Sequence, residues 1–172
     1  MMNELKEMLA QAPAAGRDNM AFKKFLRKLP MAEVQQYAHQ ISLEVEARTD
    51  CTQCGHCCRK LEPGLQPEEI PVLAHLSGSS TEAFEQDHVL KESDLCFLKA
   101  KPCYFLQGNI CKIYDQRPAS CADYPHLRTG NFKYKRSIWM NYDICPIVFQ
   151  TLEIMKTKTG FKPASVPESR EG

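Results

Sequence analysis

No stretch of this chain is both long enough and free enough of charge to cross a bilayer. The opening residues, MMNELKEMLAQAPAAGRDNM, place Glu4, Lys6 and Glu7 where a secretory signal needs an unbroken apolar run. The expected compartment is therefore the cytoplasm, where thiols stay reduced. Excess charge is missing too. The formal net charge of +1 gives no bulk attraction to nucleic acid or to an anionic membrane. No G-x-G-x-x-G, G-x-x-x-x-G-K-[ST] or H-E-x-x-H occurs, nor the C-x-x-x-C-x-x-C spacing of radical enzymes. Internal repeats and low-complexity blocks are absent as well.

Cysteine is what the chain has in plenty, with nine among 172 residues. In a reducing compartment such a set points to metal ligands or redox centres sooner than to a disulfide frame, which the odd count fits poorly. The rest is ordinary: 43% hydrophobic and 25% charged residues suit a globular domain with a real core. We expect an α+β fold, with a small cysteine-rich metal-binding domain of short strands and several helices behind a helical N-terminal region. The expected boundaries are a helical extension over 1–48, the cysteine domain over 49–158 and a flexible tail over 159–172.

Residues 1–12 and 18–29 read as short helices around Pro13. Val34, Tyr37, Ile41 and Val45 recur at helical spacing behind Pro30 and predict a helix over 31–47. Pro67-Glu68-Glu69 opens another helix that Gly78 closes, and Ser80 or Thr81 caps one more through about residue 90. From Leu95 the segments LCFLKA, CYFL and ICKIY are short, aromatic and β-branched. Gln107-Gly108-Asn109 separates the last two, a hairpin signal. FKYKRSIWM reads as a strand with a charged outer face, and Cys145-Pro146 begins a final helix.

The densest feature is Cys51-Thr52-Gln53-Cys54-Gly55-His56-Cys57-Cys58. Two C-x-x-C units overlap in it, and each can bring two sulfurs to one ion on a tight turn. Neighbouring side chains tend to diverge, so the Cys57–Cys58 doublet suggests a branch toward two centres or one multinuclear site. Cys103, Cys111, Cys121 and Cys145 follow at turns and at a helix start, making eight candidate ligands with Cys96 left over. Two tetrathiolate centres would use all eight.

The string CTQCGHCC, then CYFLQGNICKIYDQRPASCADYP, then CP resembles the CxxCxxCC cysteine-cluster family, described as zinc- or iron-chelating, whose module also occurs in flagellin lysine N-methylases. The resemblance covers roughly residues 51–146. It implies Cys51, Cys54, Cys57, Cys58, Cys103, Cys111, Cys121 and Cys145 as the metal ligands. Departures occur at Ala122, His126 and Ile147, where the family often has Arg, Phe and Gly. Nothing outside the module looks able to bind S-adenosylmethionine, so methylase activity is not carried over.

The spacing leaves zinc and iron open. Cys51, Cys54 and Cys57 match the opening of a ferredoxin run and Cys145-Pro146 its distant Cys-Pro, whereas no second C-x-x-C supports a paired zinc site. The balance tilts slightly toward one or two iron–sulfur clusters. The first functional reading is a metal-binding protein with a structural, electron-transfer or metal-handling role. The alternatives are a lysine methylase-like or redox enzyme, or a metal-stabilised interaction module whose residues 1–47 dock a protein partner. On each reading chelation should unfold much of 51–146. His56 and His126 are weaker ligand candidates, and Arg117 a donor toward a thiolate.

Overall fold

The computed structural model describes residues 2–99, 101–128 and 130–163. Most of the expected tail, residues 164–172, lies outside the described residues. The fold is α+β. It divides into two compact units, one built on Asp50–His126 and the other on Asn3–Thr49 together with the chain from Leu127 onward. Among the described residues no helix is long and apolar enough to cross a membrane.

The chain opens with α1 (Met2–Gln11), α2 (Gly16–Lys28) and α3 (Met31–Ala47). Pro30 stands at the N-cap of α3, and Val34, Ala38, Ile41 and Val45 form its buried stripe. Ala38 takes the place that the sequence reading gave to Tyr37, which is half-buried.

The Asp50–His126 unit holds α4 (His56–Lys60), β1 (Gly64–Leu65), α5 (Glu69–Ser77) and α6 (Thr81–His88). It continues with β2 (Val89–Glu92), β3 (Leu95–Leu98), β4 (Leu106–Gln107), β5 (Ile110–Cys111) and α7 (Ala119–Ala122). Gly78 ends α5 in the left-handed conformation at φ 76°, and Ser80 Oγ caps α6 by accepting from the Ala83 amide at 3.2 Å. The helix expected through residue 90 stops at His88, and its last residues begin β2 instead. β1, β3 and β2 form an antiparallel sheet in that spatial order, with Leu65 opposite Cys96 and Val89 opposite Leu98. β4 and β5 make the expected hairpin, with Leu106 opposite Cys111. Leu65, Ile70, Leu73, Ala74, Phe84, Val89, Leu98, Phe105 and Ile113 form the core, against which Cys96, Cys103 and Cys111 pack.

The second unit resumes with α8 (Arg136–Met140) and α9 (Pro146–Lys158). FKYKRSIWM is not a strand. Asn131 turns left-handed at φ 64°, Phe132–Tyr134 form a 3-10 turn, and α8 follows. Lys133, expected on a solvent face, is buried, and its ammonium donates to the Leu29 carbonyl at 2.6 Å. A buried cation needs such an acceptor. Pro146 occupies the first position of α9, whose Val148, Phe149, Leu152 and Met155 are buried, and α9 packs on α3. Phe161, within the expected tail, sets its ring 5.1 Å from that of Phe22, tilted by 51°.

Candidate metal centre

The cysteine stretch is shaped by its polar neighbours. Asp50 accepts from the Thr52 amide at 2.9 Å, the Thr52 hydroxyl at 2.6 Å and the Gln53 amide group at 2.8 Å. These bonds, led by the Thr52 hydroxyl, hold the Asp50 carboxyl below its ordinary pKa. They wind Cys51–Gln53 into a 3-10 turn closed by the Cys54 amide on the Cys51 carbonyl at 3.1 Å. Gly55 follows at φ 59°, a left-handed step that lets α4 start at once. Cys51 and Cys54 therefore sit on a turn, and Cys57 and Cys58 on the first turn of a helix.

The expected divergence of the doublet does not occur. The Cys57 and Cys58 sulfurs are 4.0 Å apart. A zinc ion with bonds of about 2.3 Å would place two tetrahedral sulfurs about 3.8 Å apart. The doublet thus points its two sulfurs to one side, close to the edge length of a tetrahedral thiolate site.

Three further thiols lie around Cys58. The Cys103 amide donates to the Cys58 carbonyl at 2.7 Å, tying the cysteine loop directly to the segment before β4. Cys111 ends β5. Cys121 lies in α7, which is anchored by Ser120 Oγ donating to the Gly64 carbonyl at 2.7 Å and by the Ala119 amide donating to Glu69 Oε1 at 2.7 Å.

The four thiols act electrostatically on one another. Burial pushes Cys103 up to about 11, and the charges of Cys58 and Cys111 add to the rise. Burial pushes Cys121 up to about 12, reinforced by Cys103, Cys58 and Cys111. Cys111 is raised by burial first and by Cys58 after it. Cys58 moves the other way, down to about 7. The hydrogen bond from Cys57 is the main cause, and the Arg59 and Arg117 guanidiniums help against the cost of burial. Cys58 is thus the most acidic of the four, and burial holds the protons on the other three. A soft cation would shift all four toward the ionised form, which is the donor chemistry that zinc and iron sites use. Among the described residues, however, no three Cys, His, Asp or Glu side chains already converge at the spacing that would hold an ion.

Cys51 is exposed, and Cys54 is half-buried. Cys145 is buried in the helical unit at the N-cap of α9, where its amide donates to the Asn141 carbonyl at 2.9 Å. Cys96 lies on β3 against the apolar core, as a packing residue. His126 takes a positive φ of 60° and sets its ring 5.9 Å from that of Tyr124. Arg117 lies 3.8 Å over the Tyr114 ring and donates to the Tyr114 carbonyl, so it braces its turn while its charge reaches Cys58. The roles of Arg59 and Asn109 were not legible in the sequence, because they depend on main-chain carbonyls, which carry no signature, and on a contact between segments far apart in the chain. Asp50 carried a faint signal as an acidic residue one position before a predicted turn.

A family model, CxxCxxCC, described as "Putative zinc- or iron-chelating domain", matches residues 50–146, more than half of the chain. No curated protein and no solved structure matches it.

Proposed function

We propose, from the premise that the chain belongs to the CxxCxxCC family, that Asp50–His126 is a thiolate metal module whose ion, zinc or iron, serves first to hold this unit in its fold. Cys58, Cys103, Cys111 and Cys121 form the proposed shell, with Cys57 beside Cys58. Cys51, Cys54 and Cys145 remain in the proposed ligand set through the family match. A bound ion would supply the positive charge that keeps these thiols ionised at neutral pH.

One observation carries the reading. Four thiols from α4, the β4–β5 region and α7 lie within range of one another's charge, and a Cys103–Cys58 backbone bond joins two of those segments. The structural role is supported by how little regular structure surrounds them. β1, β4 and β5 are two residues long, α7 four and α4 five. Elements so short do not sustain themselves, and a cross-linking ion supplies what a ladder or helix lacks.

The test is anaerobic purification followed by metal analysis and a visible spectrum. Stoichiometric zinc in a colourless protein supports the structural reading. A brown protein bleached by dithionite would replace it with an iron–sulfur, electron-carrying one. A protein without either metal, and unable to take one up, would overturn the proposal. Ser at Cys58, Cys103, Cys111 or Cys121 should lower the metal content, and Ser at Cys96 should not.

A further inference from the structure

We propose that Arg59 is a positioning residue of this centre. Its guanidinium clasps the Cys51–Cys54 loop to the β4–β5 turn, and this clasp sets how fast the ion leaves. The inference rests on the metal-binding reading above.

Arg59 follows the doublet on α4 and folds back over it. Its Nη1 donates to the Gly55 carbonyl at 2.8 Å and reaches the Cys54 carbonyl at 3.4 Å. Its Nη2 donates to Asn109 Oδ1 at 2.6 Å and to the Gly108 carbonyl. Asn109 completes the circuit, donating through Nδ2 to the Gln53 carbonyl at 3.1 Å. Two acceptors thus belong to the loop that carries Cys51 and Cys54. Two belong to the turn from which β5 runs to Cys111. Only a planar fork with several N–H groups can bridge acceptors so placed, and a lysine ammonium is a point donor.

The closure is tight. A Cβ on Gly55 would lie 2.8 Å from Arg59 Nη1 and 3.1 Å from both Cα and O of Asn109, and Gly55 already needs its positive φ. The loop therefore lies on the turn with no space for a side chain. Thiolates release an ion one at a time, and each released sulfur must swing clear before it can be protonated or captured. A loop fixed at both Gln53 and Gly55 cannot swing without breaking the Arg59 and Asn109 bonds.

The experiment loads wild type, Arg59→Gln, Arg59→Lys and Asn109→Ala with zinc and follows transfer to a chelating dye. Hydrogen exchange over residues 51–58 and 103–111 is measured in parallel. Asn109→Ala, which removes one charge-assisted bond and one neutral one, should release zinc about tenfold faster, and Arg59→Gln, which removes the whole fork, at least as fast. Arg59→Lys, which keeps the charge but not the fork, should behave like Arg59→Gln. Wild-type release by Arg59→Lys would overturn the clasp and leave only a charge effect. Unchanged release by Asn109→Ala would overturn it also, and that milder variant serves if Arg59→Gln does not fold. A wild type that takes no zinc or iron defeats the metal reading itself. The exchange data then still judge the clasp, because equal protection in wild type and Asn109→Ala would overturn it without any ion present.

Discussion

The two units of this chain are held by different means. In the helical unit, Phe22, Leu26, Phe132, Ile138, Phe149, Leu152 and Met155 are wholly buried, and α3 and α9 pack as long apolar stripes. In the Asp50–His126 unit the large, wholly buried side chains are Phe84, Leu73 and Leu98, yet eight of the nine cysteines are there. One unit is closed by hydrophobic burial on elements long enough to be helices in their own right. The other has a small apolar core and carries most of its thiols on segments of two to five residues. On the proposed reading, a soft metal gives this unit a fixed point where little surface is available to bury.

Stripping the metal with a strong chelator should lower the melting of residues 50–126 by at least about 20 °C, because an ion bound only by the folded unit stabilises it. Protection of α3 and α9 amides should not change. Hydrogen exchange read by mass spectrometry resolves the two units, and equal loss in both would sink the distinction. The converse is Phe149→Ala, which removes a wholly buried ring from the helical unit. It should cost about 3–5 kcal/mol in urea unfolding of that unit while metal content stays as in wild type.

The same contrast explains what could be read from sequence. α3 and α9 announce themselves by apolar spacing behind a proline, and the hairpin by Gly108-Asn109 between an aromatic run and a β-branched one. β1 carries no signal because two residues have no period, and β2 continues from α6 without a glycine or proline between them. FKYKR misled because aromatic and basic residues alternate as in an exposed strand, while the inward lysine is satisfied by a carbonyl 104 residues away. Spacing showed which cysteines to consider, and it suggested that the doublet diverges. The 4.0 Å sulfur separation comes from how α4 starts after Gly55, a tertiary fact. Arg59 and Asn109 were invisible for the same reason, since a main-chain carbonyl has no sequence signature.

Proton release sharpens the comparison further. Metal must displace thiol protons, so affinity falls as pH falls, up to tenfold per pH unit for each proton displaced. Cys58 holds its proton only below about 7, whereas Cys103 and Cys121 keep theirs to about 11 and about 12 and Cys111 is also raised. About four protons should therefore leave per ion at pH 6 and about three at pH 8. Calorimetric titration in buffers of different ionisation enthalpy counts them. Four at both pH values would mean that the metal-free thiols lack the environment seen here.

The smallest effect asks whether the Asp50–His126 unit keeps its shape without an ion. Ser80→Ala deletes the cap of α6, far in sequence from every proposed ligand, and should cost about 1 kcal/mol. Where the metal-free unit is already folded, that cost falls equally on free and loaded forms, and metal affinity does not change. Where the metal-free unit is unfolded, the same cost is drawn from binding, and affinity drops about fivefold. The apolar cluster of Leu73, Phe84, Leu98 and Phe105 favours the first case. We therefore expect an unchanged dissociation constant in competition with a chelating dye, together with a melting point of the metal-free unit lowered by a few degrees, about 4–8 °C per kcal/mol for a domain of this size. A fivefold affinity loss would instead make the ion the sole organiser of this unit and move the Leu73–Phe84 cluster from cause of the fold to consequence of the metal.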